Sequence, residues 1–340
     1  KPRLDYSDGA CPSLLLEPIS TNLLPYSEDF NDAAWSRQLG GVASAPIVTS
    51  NYSISPDGTL NADRVIFDIN GGTTGSDFSQ LSETVTSAIG GITNSVWIKS
   101  NTASNYTMSF VDTSGSAVSI EVTTEWQRFY VISATTSTAS LFRLRLRGGE
   151  STSDSADVSI WGAQLEQQSY ATSYIKNEGT AAGITRAADS ATGSDLSVGG
   201  YLNSSEGVFF TDFKIPNTTS RVASGYGIVI GKESTVPADV SIEIAQNTDG
   251  TLRIAKRDGG FSVLTSANQG QYNKIAISWN NLNISIYVNG VEITTAATTM
   301  TDTDFKYISL TATDSTKWVK DIRVYTTALS DAELTTLTTI

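Results

Sequence analysis

Three short stretches hold the side chains best suited to chemistry. Ser95-Val-Trp-Ile-Lys99 places Trp97 and Lys99 on one side of an alternating run. In Leu141 to Arg147 the arginines Arg143, Arg145 and Arg147 alternate with Phe142, Leu144 and Leu146. Asp157-Val-Ser-Ile-Trp161 sets Asp157, Ser159 and Trp161 opposite Val158 and Ile160. Flat aromatic rings cover the apolar face of a sugar, and fixed polar groups meet its hydroxyls. If these strands share one concave sheet, Trp97, Lys99, Arg143, Arg145 and Trp161 form an aromatic and cationic groove. Such a groove suits an acidic polysaccharide, whose carboxylates or sulfates arginine grips in pairs of hydrogen bonds. The same residues also admit a structural reading, with the tryptophans packed under loops and the arginines paired with nearby Asp and Glu.

Other chemistry is restricted by composition. The chain contains no histidine, which removes histidine triads and histidine metal sites. No paired carboxylates of the glycosidase kind stand on one strand between residues 205 and 325, where Glu243 is alone. A non-enzymatic role is expected. The net charge of −13 argues against nucleic acid and anionic membranes as partners. No apolar run reaches the roughly 20 residues a membrane span needs. The single cysteine, Cys11, rules out an intrachain disulfide and is expected to be a buried or half-buried thiol.

The elements that position these residues read as strands. Period-2 segments recur at residues 63–67, 95–99, 106–111, 118–122, 126–132, 141–147 and 157–166, and again from 208 to 325. Asn247-Thr-Asp-Gly250 and Asn289-Gly290 mark hairpin turns. Phe30 and Trp35 are expected in a core. Ser330 and Glu333 form a capping box that starts a short helix at Asp331. The expected fold is all-β: two tandem β-sandwich (jelly-roll) domains with a short C-terminal helix. A lead-in at 1–25 precedes a first sandwich at 26–178, a connector at 179–200 and a second sandwich at 201–340.

Several blocks carry a resemblance: Ser13-Leu-Leu-Leu-Glu-Pro18, Thr21-Asn22-Leu23, Tyr26-Ser-Glu-Asp-Phe30 with Trp35, Glu125-Trp-Gln-Arg128, Ile160-Trp-Gly-Ala-Gln-Leu-Glu166, Ala171-Thr-Ser-Tyr-Ile175 and Thr185-Arg-Ala-Ala-Asp189. In that order they resemble a module of phage tail-fibre and virion-surface proteins, similar to carbohydrate-binding jelly rolls of the family 4/9/22 type. From Ser205 to Glu333, Tyr287-Val-Asn-Gly290 and Asp321-Ile-Arg-Val-Tyr325 resemble a concanavalin A-like, laminin-G-like sandwich. The resemblance implies glycan or protein binding without turnover, on a virion surface or in the extracellular space. Implied partners are cell-surface polysaccharide and other virion proteins. Fibres of this kind are usually homotrimers, although no heptad or collagen-like repeat here specifies three copies. A structural virion protein and a glycan-binding module of a secreted bacterial protein are the alternatives. The start at Lys1, with Pro2-Arg3-Leu4-Asp5-Tyr6, resembles an internal junction of a longer protein.

The same resemblance implies a structural calcium ion. Asp29 and Asp157 match the family's positions, and Asn31 stands where a carboxylate is usual. Asp212, Asp302 and Asp304 are further acidic candidates in loops of the second sandwich.

Overall fold

The structure is a computed structural model. It describes residues 3–7, 9, 11–192, 195–215, 225–231, 241–246, 251–256, 262–265, 270–293, 305–311 and 316–340. The chain divides into two units, Ser20–Arg186 and a discontinuous one made of Lys1–Ile19 with Ala187–Ile340.

In chain order the first strands are β1 (Arg3–Asp5) and β2 (Ser13–Leu16). The continuous unit then runs β3 (Ser20–Asn22), β4 (Ser36–Gly40), β5 (Ser44–Ile54), β6 (Leu60–Asp68) and β7 (Phe78–Thr86). It continues with β8 (Gly90–Ser100), β9 (Tyr106–Val111), β10 (Ala117–Val122), β11 (Gln127–Thr135), β12 (Ala139–Arg147), β13 (Ser155–Glu166) and β14 (Ile184–Arg186). The rest comprises β15 (Ser190–Thr192), β16 (Glu206–Lys214), β17 (Gly225–Gly231), β18 (Ser241–Gln246), β19 (Leu252–Lys256), β20 (Ser262–Thr265) and β21 (Tyr272–Asn280). It ends with β22 (Asn283–Val288), β23 (Val291–Glu292), β24 (Tyr307–Thr311), β25 (Lys317–Tyr325) and helix α1 (Asp331–Thr338). The described chain is nearly all β, as the period-2 runs require.

The unit 20–186 contains two five-stranded antiparallel sheets, in the orders β10-β9-β12-β7-β4 and β11-β8-β13-β6-β5, plus the small pair β14-β3. One core joins the sheets: Phe110, Phe142, Leu144 and Leu146 meet Val65, Phe67, Val96, Ile98, Val158 and Ile160. Phe30 and Trp35 enter it as expected, with the Trp35 ring edge-on to Phe142 at 5.3 Å. A buried polar seam ties the unit's entry to its exit. Asn22, fully buried, donates from Nδ2 to the carbonyls of Ala163 and Ile175 and accepts from the N–H groups of Leu24 and Leu165 at Oδ1. Glu166, also fully buried, accepts from the Ser20 hydroxyl (2.6 Å) and from the Thr172 N–H and hydroxyl.

The discontinuous unit contains a seven-stranded sheet, β1-β2-β25-β16-β21-β22-β23, and a six-stranded one, β15-β24-β17-β18-β19-β20. Phe209, Phe213, Ile275, Ile277 and Trp279 meet Ile228, Ile230, Ile242, Ile244 and Ile254 in its core. The residues read as a lead-in are divided: β1 pairs with β2 and β2 with β25 of this unit, while Ser20–Asn22 belongs to the other. The connector is divided likewise, with β14 paired to β3 and β15 to β24.

The Asn289-Gly290 turn is present, with both residues at positive φ between β22 and β23; Asn247–Gly250 lies outside the described residues. Cys11 is exposed rather than buried, because it falls in the turn between β1 and β2 and not on a strand facing the core. The capping box is formed: Ser330 Oγ accepts from the Glu333 N–H, and Glu333 accepts from the Ser330 N–H at 2.8 Å. Ser330→Ala is expected to cost about 1 kcal/mol. The helix seats Leu334 among Val208, Phe210, Ala276 and Tyr287, so the loss should appear as a lower unfolding midpoint of this unit.

Candidate functional site

Strand β12 lies between β9 and β7, and its alternation sorts the side chains. Phe142, Leu144 and Leu146 enter the core, so Arg143, Arg145 and Arg147 stand on the outer face of the sheet. Register then builds polar rows across neighbouring strands. Arg143 sits between Val111 of β9 and Ser82 of β7, and Ser82 faces Ser36 of β4. Arg145 sits between Ser109 and Gln80, and Gln80 faces Gln38. The small residues of this face form its floor, since Val111, Ser82 and Ser109 are buried beneath the longer side chains.

The three arginines differ in what they hold. Arg145, 5% exposed, grips Glu150 with two hydrogen bonds, Nε to Oε2 at 2.9 Å and Nη2 to Oε1 at 2.7 Å. Arg147 adds an ion pair to the same carboxylate at 3.1 Å. Arg143 is half-buried, and its Nε is inaccessible to solvent and has no hydrogen-bond partner among the described residues. Burial, and then the charges of Arg145 and Arg147, pull its pKa below the usual arginine range. Beside it the Gln80 amide donates to the Gln38 carbonyl, which fixes the orientation of both side chains.

Trp97, Lys99 and Trp161 do not join this face. They lie on β8 and β13 of the other sheet, where Trp161 is the register partner of Trp97 and Ser159 of Lys99. The single groove expected from the sequence is therefore not formed, because β8 and β13 join one sheet and β12 the other. Trp161 is 5% exposed and packs against Tyr174, with ring centroids 4.5 Å apart. Gly162, at φ +66°, makes the bulge that lets the chain pass close to Trp97 and Tyr174. The Lys99 ammonium lies 5.2 Å from the Trp126 ring centroid. Trp97 remains half-buried on this second outer face.

The residues implied as calcium ligands do not form a set. Asp157 is paired on the outer face with Arg64, whose Nε donates at 2.8 Å, and also accepts from Asn101 at 2.9 Å. These bonds, the Arg64 contact first, hold its pKa below the usual carboxylate range. Asp29 instead lines a cavity of about 680 Å³ with Glu28, Asn51, Asn61, Asp63 and Lys176. Its Oδ1 accepts from the Asn31 N–H, and the Asn31 side chain accepts from Arg37. Asp63 points inward opposite Ile160, accepts from the N–H groups of Phe30 and Asn51, and is pushed up to about 6 by burial. No group of three or more carboxylate, cysteine or histidine ligands able to hold a metal occurs among the described residues. In the other unit, Asp212 stands on β16 opposite Lys274 and Asp321 rather than in a loop. Asp302 and Asp304 lie outside the described residues.

Sequence reasoning singled out Arg143 and Arg145 but missed Gln38, Gln80, Ser82 and Ser109. Their signal was the alternation around Leu81 and Met108, which marks outward positions without saying which strands adjoin.

A family model described as the concanavalin A-like lectin/glucanases superfamily matches residues 214–335, within the span expected to carry that fold. No curated protein matches the chain. Among solved structures, Trypanosoma rangeli sialidase is similar at 17% identity and a TM-score of 0.34, over 39% of this chain and 22% of that one. A carbohydrate-binding module (CBM40) of a Ruminococcus gnavus sialidase, bound to α2,3-sialyllactose, is similar at 18% identity and a TM-score of 0.34, over 44% of this chain and 92% of that one. Domain 4 of a Geobacillus stearothermophilus extracellular arabinanase, in complex with arabinotriose, is similar at 18% identity and a TM-score of 0.34, over 43% of this chain and 71% of that one.

Proposed function

We propose that the chain is a non-catalytic glycan-binding segment of a phage virion fibre, and that it takes cell-surface polysaccharide on the outer face of the β10-β9-β12-β7-β4 sheet. The observation that carries this reading is the pair of polar rows on that face. Gln38, Arg143 and Arg147 reach the surface, spaced by the strand ladder above a buried floor of Ser82, Ser109, Val111, Gln80 and Arg145, so a polar chain laid on the face meets donors and acceptors at a fixed spacing. The sequence blocks at 13–189 support the virion context. A binding rather than hydrolytic role is supported by Glu150, the carboxylate beside the rows, whose oxygens are both engaged by arginine side chains.

The test is retention of the full chain on immobilised polysaccharides, with release of reducing ends followed in parallel. Gln38→Ala is expected to weaken binding about tenfold, as loss of a contact worth about 1.4 kcal/mol would. Trp97→Ala, on the other sheet, should leave binding unchanged, and no reducing ends should appear. Binding that survives Gln38→Ala but disappears with Trp97→Ala would move the site to the opposite face.

A further inference from the structure

We propose that strand β11 pairs antiparallel with β11 of a second copy of this chain, joining two five-stranded sheets into one across a two-fold axis. An edge strand presents unpaired N–H and C=O groups, and natural chains blunt it by shortness, bulges, charge or proline. The edges of this protein differ in that respect. β1, β15 and β23 have three residues or fewer, β20 has four and β4 five. β10 has six and carries the exposed Glu121. β5, the far edge of the sheet that holds β11, contains Pro46 and three breaks in its register with β6. β11 has none of these devices: its nine residues pair with β8 in unbroken register from Gln127 to Thr135. Every second residue of such a ladder turns its N–H and C=O away from the partner strand. Among the described residues, no backbone hydrogen bond from elsewhere in the chain reaches that open side.

The occupant is read from the strand itself. Phe129 and Val131 face the core, so Arg128, Tyr130 and Ile132 face outward. Tyr130 is 60% exposed and Ile132 49%. Two strands that pair must keep core side chains on the core side, which excludes every register shifted by one residue. A two-fold through Val131 meets that condition and pairs the whole strand. Tyr130 then stands opposite the partner's Ile132, and Arg128 opposite the partner's Ala134. No like charges face each other, and an aromatic ring against a β-branched chain is a favourable cross-strand pair. Arg128 is the only charged residue of β11, so the strand carries none of the acidity behind the net charge of −13. Because the core side is kept in both copies, their two β10-β9-β12-β7-β4 faces point the same way. If that face holds glycan as proposed above, one polymer meets two binding faces and gains from their linkage. The pairing itself does not depend on that reading.

The test is sedimentation of the full chain in the absence of glycan. One strand pair is a small interface, so a species of twice the chain mass should be half-populated at a concentration on the order of 100 µM. Added salt should strengthen it, by screening the repulsion between two acidic chains. Tyr130→Lys combined with Ile132→Lys sets ammonium against ammonium at both outward pairs and should weaken association by about tenfold or more. Tyr130→Glu combined with Ile132→Glu should do the same. An equimolar mixture of the two doubly substituted chains should associate again, a recovery that a folding defect cannot produce. Ile47→Lys, at an exposed position on the far edge of the same sheet, should change nothing. Alternate amides within 127–135 should become protected from hydrogen exchange as the chain concentration rises.

A chain still monomeric at about 1 mM in high salt would overturn the pairing and leave the edge to a strand of another protein. An oligomer that ignores the paired lysine substitutions, or that forms without new protection in 127–135, would overturn it as well. Association abolished by Ile47→Lys alone would move the contact to β5. Retention on polysaccharide by a chain that stays monomeric would remove the dimer and leave the glycan face standing.

Discussion

Asn22→Ala is expected to destabilise the unit 20–186 by about 3–5 kcal/mol, because one side chain satisfies four backbone groups in a place that water does not reach. Its amide donates to two carbonyls, at Ala163 and Ile175, and its carbonyl accepts from two N–H groups, at Leu24 and Leu165. Alanine removes all four bonds and adds a void. Leucine fills the void and still leaves the backbone groups unpaired, so Asn22→Leu should fall within about 1 kcal/mol of the alanine variant, which separates polar satisfaction from packing. For a unit of this size the midpoint of thermal unfolding should drop by about 10 °C. A drop of only 2–3 °C in both variants would mean that the seam is hydrated or replaceable.

The second large effect concerns pH. Asp63 is pushed up to about 6 by burial, opposed by the N–H groups of Asn51 and Phe30 and reinforced by the charges of Asp29 and Glu28. Glu83 is pushed up to about 7, by burial and then by Asp32. A carboxyl whose pKa is higher folded than unfolded binds its proton more tightly in the native state. Between the two values, stability therefore rises as pH falls. The penalty is full above the folded value and is gone below the unfolded one, 3.8 for Asp63 and 4.5 for Glu83.

At about 1.4 kcal/mol per unit, with Glu83 discounted for its partial exposure, lowering the pH from 8 to 5 should stabilise this unit by about 2–3 kcal/mol. No histidine titrates in that window to obscure the trend. Below about pH 4 the sign reverses. Asp57, held at about 2 by hydrogen bonds from Ser55 and Thr59, and Asp157, lowered by Arg64, must then be protonated and lose their partners. Calorimetry across pH 3–8 should show a maximum near pH 4–5. Glu83→Gln should flatten the limb between 5 and 8 and stabilise the protein at pH 8. A profile flat from 5 to 8, unaltered by Glu83→Gln, would mean that Asp63 and Glu83 titrate as ordinary surface acids.

Much of the architecture was legible in the residues, and the reason shows in particular strands. The run from Leu141 to Arg147 alternates without error, so both the strand and its outward arginines could be read from side-chain period alone. Ser330 and Glu333 predicted the helix start for an equally local reason. Strands β5 and β7 were missed. In Phe78–Thr86 the buried positions are occupied by Ser79, Gln80 and Ser82 as well as Leu81, so apolar period gives no signal. The placement of Trp97 and Trp161 beside the arginines failed for a different reason. Alternation says which way a side chain points from its strand, and not which sheet the strand joins. Here β8 and β13 pair together while β7, β9 and β12 pair elsewhere, a pattern set by contacts between distant residues. The same holds for β2, whose partner β25 lies near the other end of the sequence.

That pairing has a kinetic consequence. For Leu16 to meet Lys317, the chain must close a loop that contains the whole unit 20–186, and loop closure of this kind slows folding. The insert shortens its own detour once folded, because Arg186 is the ladder partner of Ser20 and the strands that enter and leave it run side by side. Folding order follows from connectivity. The continuous unit is expected to nucleate first, its closure lowering the entropy that the discontinuous sheet must lose to recruit β1 and β2. A lesion in the insert, such as Asn22→Ala, would then delay refolding of the seven-stranded sheet of the discontinuous unit.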